Sequence, residues 1–396
     1  MDTPTRAPAP PAAAGTAGTA ARALAPDLAR GGMLLAIAFA HAPLFVAAID
    51  RGPALLNGVS SFLHTLFVSN HARPMFAFLF GYSLVQLLTR QTRRGGDWVS
   101  VRKLLRRRGW WLIVFGLVHT LLMPLDILAV YGMGALLVVG LLRARDATLL
   151  WTAGLALLPA TLSVGFGMWN AMDRGISTFE AGSVVPTAGL VESLVARAQI
   201  LPFSLVFATV SVIPAMILGI WAARRRVLDE PERHRGFLVR TAVVATAVSI
   251  AGGLPMALIQ TGVWAAPSGA AVWAAALAQP LTGYFGGIAM AGIIALIAIR
   301  VGRRRGALTI AVEALGQRSM SFYLFQSVAF VAVFHPDALG LQDRLGLAGA
   351  MGVAVATWLV SLLLAELMRR AGYRGPAENL LRRLSYGRRR PEGRAA

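Results

Sequence analysis

Two histidines occupy matching places in apolar stretches of the chain. His41 lies eleven residues beyond Arg30 and His119 eleven beyond Arg108, which at 1.5 Å per helical residue puts both imidazoles about 16 Å past a basic boundary. A neutral imidazole at that depth can take a proton from a hydroxyl or an amine, because its pKa lies near neutrality. Tyr131, twelve residues before Arg143, comes to about 18 Å by the same arithmetic, and Gln326, eight beyond Arg318, to about 12 Å. Asp126 comes out higher, about 25 Å, so contact with His119 requires a bent turn or a bridging water. His41, His119, Tyr131 and Asp126 are the candidate catalytic groups. Each has a structural reading beside the chemical one. A histidine can serve as a hydrogen-bonding partner between helices, and Asp126, directly after Pro124 and Leu125, can cap the helix that follows it.

Cations supply the candidate binding groups. Arg106, Arg107 and Arg108 cluster at the start of one apolar run and suit a phosphorylated ligand. Arg73, at the outer mouth of another run, can hold an anionic group or extend to lipid headgroups. Arg30, Arg73, Arg106, Arg108, Arg318 and Gln326 form the candidate substrate-binding set. No metal site is expected. His64 and His71 are seven apart without an HExxH or carboxylate cluster beside them, and the chain has no cysteine.

The elements that must position these residues are membrane helices. Hydrophobic residues make up 56% of the 396 positions and charged residues 14%, which excludes an ordinary soluble domain. The net charge of +20 arises from short basic clusters at the ends of apolar runs. This pattern is membrane topology, not nucleic-acid binding. Residues 1–26, rich in Ala, Pro, Gly and Thr, are expected to be a disordered tail. The membrane domain is expected over 27–368, with a basic cytoplasmic tail over 369–396.

Ten spans are read at 32–49, 74–89, 109–123, 125–142, 147–168, 200–222, 237–259, 270–299, 319–334 and 347–368. Pro280 should tilt or kink the eighth, and 50–72 is read as a surface loop or re-entrant segment that does not cross. On this topology 33 of the 38 basic residues fall on one side, so the positive-inside rule places both termini in the cytoplasm. The fold class is therefore all-α, a polytopic helical protein of the inner cell membrane whose standing partner is the lipid bilayer. Ala38-Phe39-Ala40 mimics a signal-peptide cleavage site, but the apolar run continues past it.

Three segments carry a family resemblance. RRRGWWLIVFGLVHTLLMPLDILAVYGMGALLVVGLL, residues 106–142, resembles the LLRRR…GLLH…DIL..YA pattern of the YeiB family of bacterial membrane proteins of unknown function. GQRSMSFYLFQS (316–327) and RGPAENLLRRLSYG (374–387) resemble that family's GR.ALTNYL.QS and GP.E.LWR.L.YG segments. The family is in turn similar to transmembrane acyltransferases, including the acyltransferase-3 proteins. Their D.LRG motif is matched by Asp27-Leu-Ala-Arg30-Gly31, with Ala29 as a departure. A histidine follows that arginine by eleven positions in acyltransferase-3 proteins, which falls on His41, where YeiB relatives usually have Asn. The resemblance implies transfer of an acyl group from a cytoplasmic donor of the acyl-CoA type, used as a co-substrate without a tightly bound cofactor. The acceptor would be an envelope lipid or glycan. A small-molecule or lipid transporter using the same polar residues, and a non-catalytic membrane protein, are the alternatives.

Overall fold

The computed structural model describes residues 23–124, 126–185 and 190–386, and all of its regular elements are helices. They are α1 (Leu24–His41), α2 (Ala54–Phe67), α3 (Ala72–Thr92), α4 (Trp98–His119), α5 (Leu128–Val138), α6 (Asp146–Asp173), α7 (Thr178–Ala181), α8 (Leu190–Arg224), α9 (Arg235–Gln260), α10 (Gly269–Gly302), α11 (Ala307–Gly316), α12 (Ser319–Phe334), α13 (Leu347–Arg370) and α14 (Pro376–Tyr386). Six helical segments are long and apolar enough to cross a bilayer: Leu24–Phe45, Asp146–Asp173, Ala198–Arg224, Arg235–Gln260, Gly269–Gly302 and Leu347–Arg370. The chain is a multi-pass helical membrane protein. Each of the ten apolar runs read from the sequence contains a helix. Of the other four, α5 and α12 are short, and α3 and α4 carry too much polar sequence at their ends to meet the same standard.

The first expected span needs correction. Helix α1 begins at Leu24, inside the segment expected to be a disordered tail, and stops at His41 instead of running from 32 to 49. Pro43 is the cause: it lacks an N–H and forces the chain into a tighter 3₁₀ turn over Ala42–Phe45. His41 is thus the last residue of a helix. Most of α1 is buried, including Asp27, Met33, Leu34 and Ile37, and it packs on α3, α10, α11, α12 and α13. Gln326 Nε2 donates to the Leu34 carbonyl at 3.1 Å and Trp358 Nε1 to that of Gly31 at 3.0 Å.

Residues 50–72 do not form a simple loop. Helix α2 lies across the ends of α9 and α13, where Asn57 Oδ1 accepts from Ala348 N at 2.9 Å and Thr65 Oγ1 donates to Gln260 Oε1 at 2.6 Å. Its inward face is polar (Asn57, Ser61, His64, Thr65), whereas Leu55, Leu56, Val59, Leu63 and Phe67 point outward. Such reversed polarity suits a helix set against lipid on its outer side. The same end of the molecule gathers the 3₁₀ turn after α1, the segment after α7 and the stretch before α13, through Val184 N to Leu44 O at 2.8 Å and Ala47 N to Gln342 O at 3.0 Å. Single cysteines at Ser60, Ser183 and Leu341, in a chain that has none, are therefore expected to react with an impermeant thiol reagent on intact cells. Protection of all three would overturn the assignment of this end to the cell exterior.

Helix α10 is one continuous 34-residue helix through Pro280. Just before the proline, Gln279 Nε2 donates to Thr65 O and Ser69 O at 3.1 and 2.9 Å, tying α10 to the end of α2 and the turn after it. At the opposite end of the molecule Arg224 donates to Leu142 O and Ala144 O, both at 2.5 Å, and Tyr82 Oη donates to Asp229 at 2.9 Å. Between lipid-embedded helices the hydrophobic effect gives little drive, so close approach at small residues must supply the packing. In the α3/α8 crossing, a Cβ on Gly81 would overlap the Met216 carbonyl oxygen, and one on Gly219 that of Phe78.

Candidate functional site

The site is built where α4 stops. His119 is its last residue, Leu122 N and Met123 N both return to the His119 carbonyl at 2.9 Å, and the chain reverses through Pro124 and Asp126 into α5. The reversal closes the gap that upright helices would leave. Asp126 Oδ1 accepts from His119 Nδ1 at 2.7 Å with both side chains 1% exposed, and Oδ2 accepts from Ala129 N at 2.7 Å. Asp126 is therefore both the cap of α5 and the partner of His119, in direct contact. Gly116 makes room for this, because a Cβ there would overlap Asp126 Oδ2 and Ala129 N. With Nδ1–H donating to the carboxylate, Nε2 carries the lone pair. That nitrogen is buried and has no hydrogen-bond partner among the described residues.

Tyr323 of α12 joins the two histidines. Its ring centroid lies 5.0 Å from that of His119 and 6.1 Å from that of His41, and its hydroxyl accepts from Ile127 N at 3.3 Å. The equal depth read from the sequence thus corresponds to a shared interior position. Tyr131 is buried beside Phe76 and Phe80, with its hydroxyl donating to the Arg73 carbonyl at 3.3 Å.

A cavity of about 240 Å³ leads towards this cluster. Arg30, Arg90, Arg108 and Glu378 line its polar part, leucines and phenylalanines of α3 its walls, and Tyr131 and Tyr323 also border it. Arg30 bonds Asp27 and Ser83 Oγ, each at 2.8 Å. Glu378, on α14, accepts from Met320 N, Ser321 N and Ser321 Oγ at 2.8, 3.2 and 2.5 Å, a carboxylate set where the α12 dipole favours negative charge.

The other candidates fall elsewhere. Arg106 is exposed on α4 and does not line the cavity. Arg318 is used structurally, donating to Tyr373 O at 2.6 and 3.1 Å and to Ala314 O at 2.9 Å. Gln326 holds α12 to α1, and Arg73 lies at the start of α3, away from the cavity. Sequence reasoning passed over Tyr323, Arg90 and Glu378. Tyr323 lies within a quoted motif whose pattern gives it no role, Arg90 falls one residue past the expected 74–89 span, and Glu378 sits in the stretch read as a basic tail.

With this geometry in place, the chain can be set beside known proteins. Residues 222–388, covering α9 to α14, match the family described as "Protein of unknown function (DUF418)". The chain is 24% identical over 344 residues to "Uncharacterized protein YxaH" of Bacillus subtilis (strain 168), covering 81% of this chain and 80% of the relative. Both agree with the resemblance to YeiB proteins of unknown function, and neither extends it to acyltransferases. The matched family region contains Tyr323 and Glu378, whereas His41, His119 and Asp126 precede it.

Proposed function

We propose that this chain is an inner-membrane acyltransferase that uses the His119–Asp126 pair as its general base. The observation that carries the reading is a buried imidazole, oriented by a carboxylate and with its second nitrogen unpartnered, one aromatic ring beyond a cavity lined by arginines. An oriented imidazole with a free Nε2 is the arrangement that general-base catalysis requires. The donor is an acyl thioester of a phosphorylated carrier, its phosphate near Arg30, Arg90 and Arg108 and its acyl group along the apolar wall. Nε2 of His119 takes the proton of an acceptor hydroxyl, and the acceptor oxygen bonds to the thioester carbonyl carbon. The carbon–sulfur bond breaks, and the departing thiolate receives the proton from Nε2. Asp126 holds the imidazole and offsets its transient charge. Tyr323 must swing aside for the carbonyl to reach Nε2. The arginine-bearing end faces the cytoplasm on this reading, with both termini there.

Incorporation of a labelled acyl group from an acyl thioester into the lipid and glycan fractions of membranes containing the chain tests this directly. Equal incorporation by membranes with and without it would refute acyl transfer. Arg108→Gln is expected to raise KM for the donor roughly ten- to hundredfold with kcat little changed, since a charge-assisted hydrogen bond contributes about 1.5–3 kcal/mol. A change confined to kcat would remove Arg108 from the donor site.

A further inference from the structure

The proposed transfer makes no use of the opposite side of Tyr131, where its hydroxyl bonds the carbonyl of Arg73. The Arg73 side chain is exposed, its Nη1 donates to Ser211 Oγ at 3.1 Å, and no carboxylate pairs with it among the described residues. It borders a shallow crevice of about 10 Å³ walled by Val164 of α6, Ser211 of α8, and Pro280 and Tyr284 of α10. Depth follows from the flanking helices. Ser211 is thirteen residues before Arg224 and Tyr284 sixteen before Arg300, about 20 and 24 Å from the arginine-bearing end in a hydrocarbon core of about 30 Å. The surrounding surface is apolar: Leu162, Phe166 and Phe207 are 46, 56 and 57% exposed. Trp169 and Trp273, with ring centroids 5.1 Å apart, lie about 8 Å further along α6 and about 10 Å further along α10, and tryptophans mark the headgroup level.

An unpaired cation within the apolar zone is costly unless an anion joins it. We infer that Arg73 and its crevice bind the phosphate of an anionic phospholipid of the outer leaflet, whose acyl chains run inward from there along the exposed Leu162 and Leu158 of α6. The crevice is too small to enclose a headgroup, so the phosphate rests at its lip, where the guanidinium can donate two parallel hydrogen bonds. The apolar rim selects an amphiphile over a free anion. This site rests on no part of the acyl-transfer reading, and binding is expected with or without turnover.

Thermal unfolding of the full chain in mild detergent tests it, with phosphatidylglycerol, phosphatidylcholine or inorganic phosphate added at equal concentration. Phosphatidylglycerol is expected to raise the midpoint of the wild type and of Arg174→Gln, an outer-loop control, by the same amount. Arg73→Gln should weaken its apparent affinity at least tenfold, and Arg73→Lys less. An equal response to phosphatidylcholine, an equal response to inorganic phosphate, or an undiminished response in Arg73→Gln would overturn the site. Should Arg73→Gln not fold, Val164→Cys in the otherwise cysteine-free chain gives the answer by another route. Its modification by N-ethylmaleimide is expected to slow with phosphatidylglycerol and not with phosphatidylcholine, and equal slowing by both, or by neither, is the negative outcome.

Discussion

Replacing His119 by Asn is expected to lower acyl transfer roughly 10²- to 10⁴-fold, the usual contribution of a general base, while leaving the protein folded. The Asn amide nitrogen can stand near the place of Nδ1 and keep donating to Asp126, now 2.7 Å from that atom. What disappears is the proton acceptor at Nε2. His119→Ala differs instructively, because it leaves a buried carboxylate without the imidazole N–H and should also cost about 1.5–3 kcal/mol of stability. His41→Asn should be milder, since no carboxylate orients His41 among the described residues. Rates of labelled acyl incorporation at matched protein levels decide the matter. Full activity in His119→Asn would exclude His119 as the base, and inactivity confined to His41→Asn would transfer the role to His41.

The second large effect concerns assembly. Gly219→Val puts a branched side chain where even a single Cβ would overlap the Phe78 carbonyl oxygen and crowd Tyr82 N. A helical carbonyl cannot rotate away without breaking its own hydrogen bond, so α3 and α8 must separate. Overpacking typically costs about 1–3 kcal/mol and occasionally more, and a clash with rigid backbone belongs at the upper end. The extracted protein should unfold at a markedly lower temperature and lose its monodisperse elution profile. Gly154→Val is the control, because nothing lies within 4 Å of a Cβ at that position. If the two variants unfold alike, close packing at this crossing is not what holds α3 to α8.

The sequence made the membrane helices legible because a run of apolar residues between arginines has few other uses in water or lipid. It also brought His41 and His119 to one depth, since counting along a helix from a charged boundary needs only the helical rise. Turns were less readable. Pro43 was visible, yet the apolar composition of Ala42 to Ala48 hid the end of α1. The contact between His119 and Asp126 was placed too far apart, because upright extension to residue 123 ignores a chain that folds back at 119. Glu378 and Arg90 were least accessible. Glu378 reaches the cavity only because α14 docks against α4 and α12, a long-range arrangement that no local pattern encodes. Arg90 reaches it on the α3 face shared with Ser83 and Leu87, one residue past the expected end of that span.

The burial of α1 by the last helices sets a timetable for biosynthesis. The partners that bond the carbonyls of Leu34 and Gly31 are 292 and 327 residues downstream, so at about 5–20 residues per second the first helix waits roughly 15–65 s for them. Throughout that interval Asp27, 1% exposed in the finished protein, stands uncovered at the arginine-bearing boundary of the first helix. A ribosome paused before α11 would leave that acidic face without the helices that cover it. Slow synthesis through this stretch should therefore make the young protein a substrate for membrane proteases even when every residue is correct.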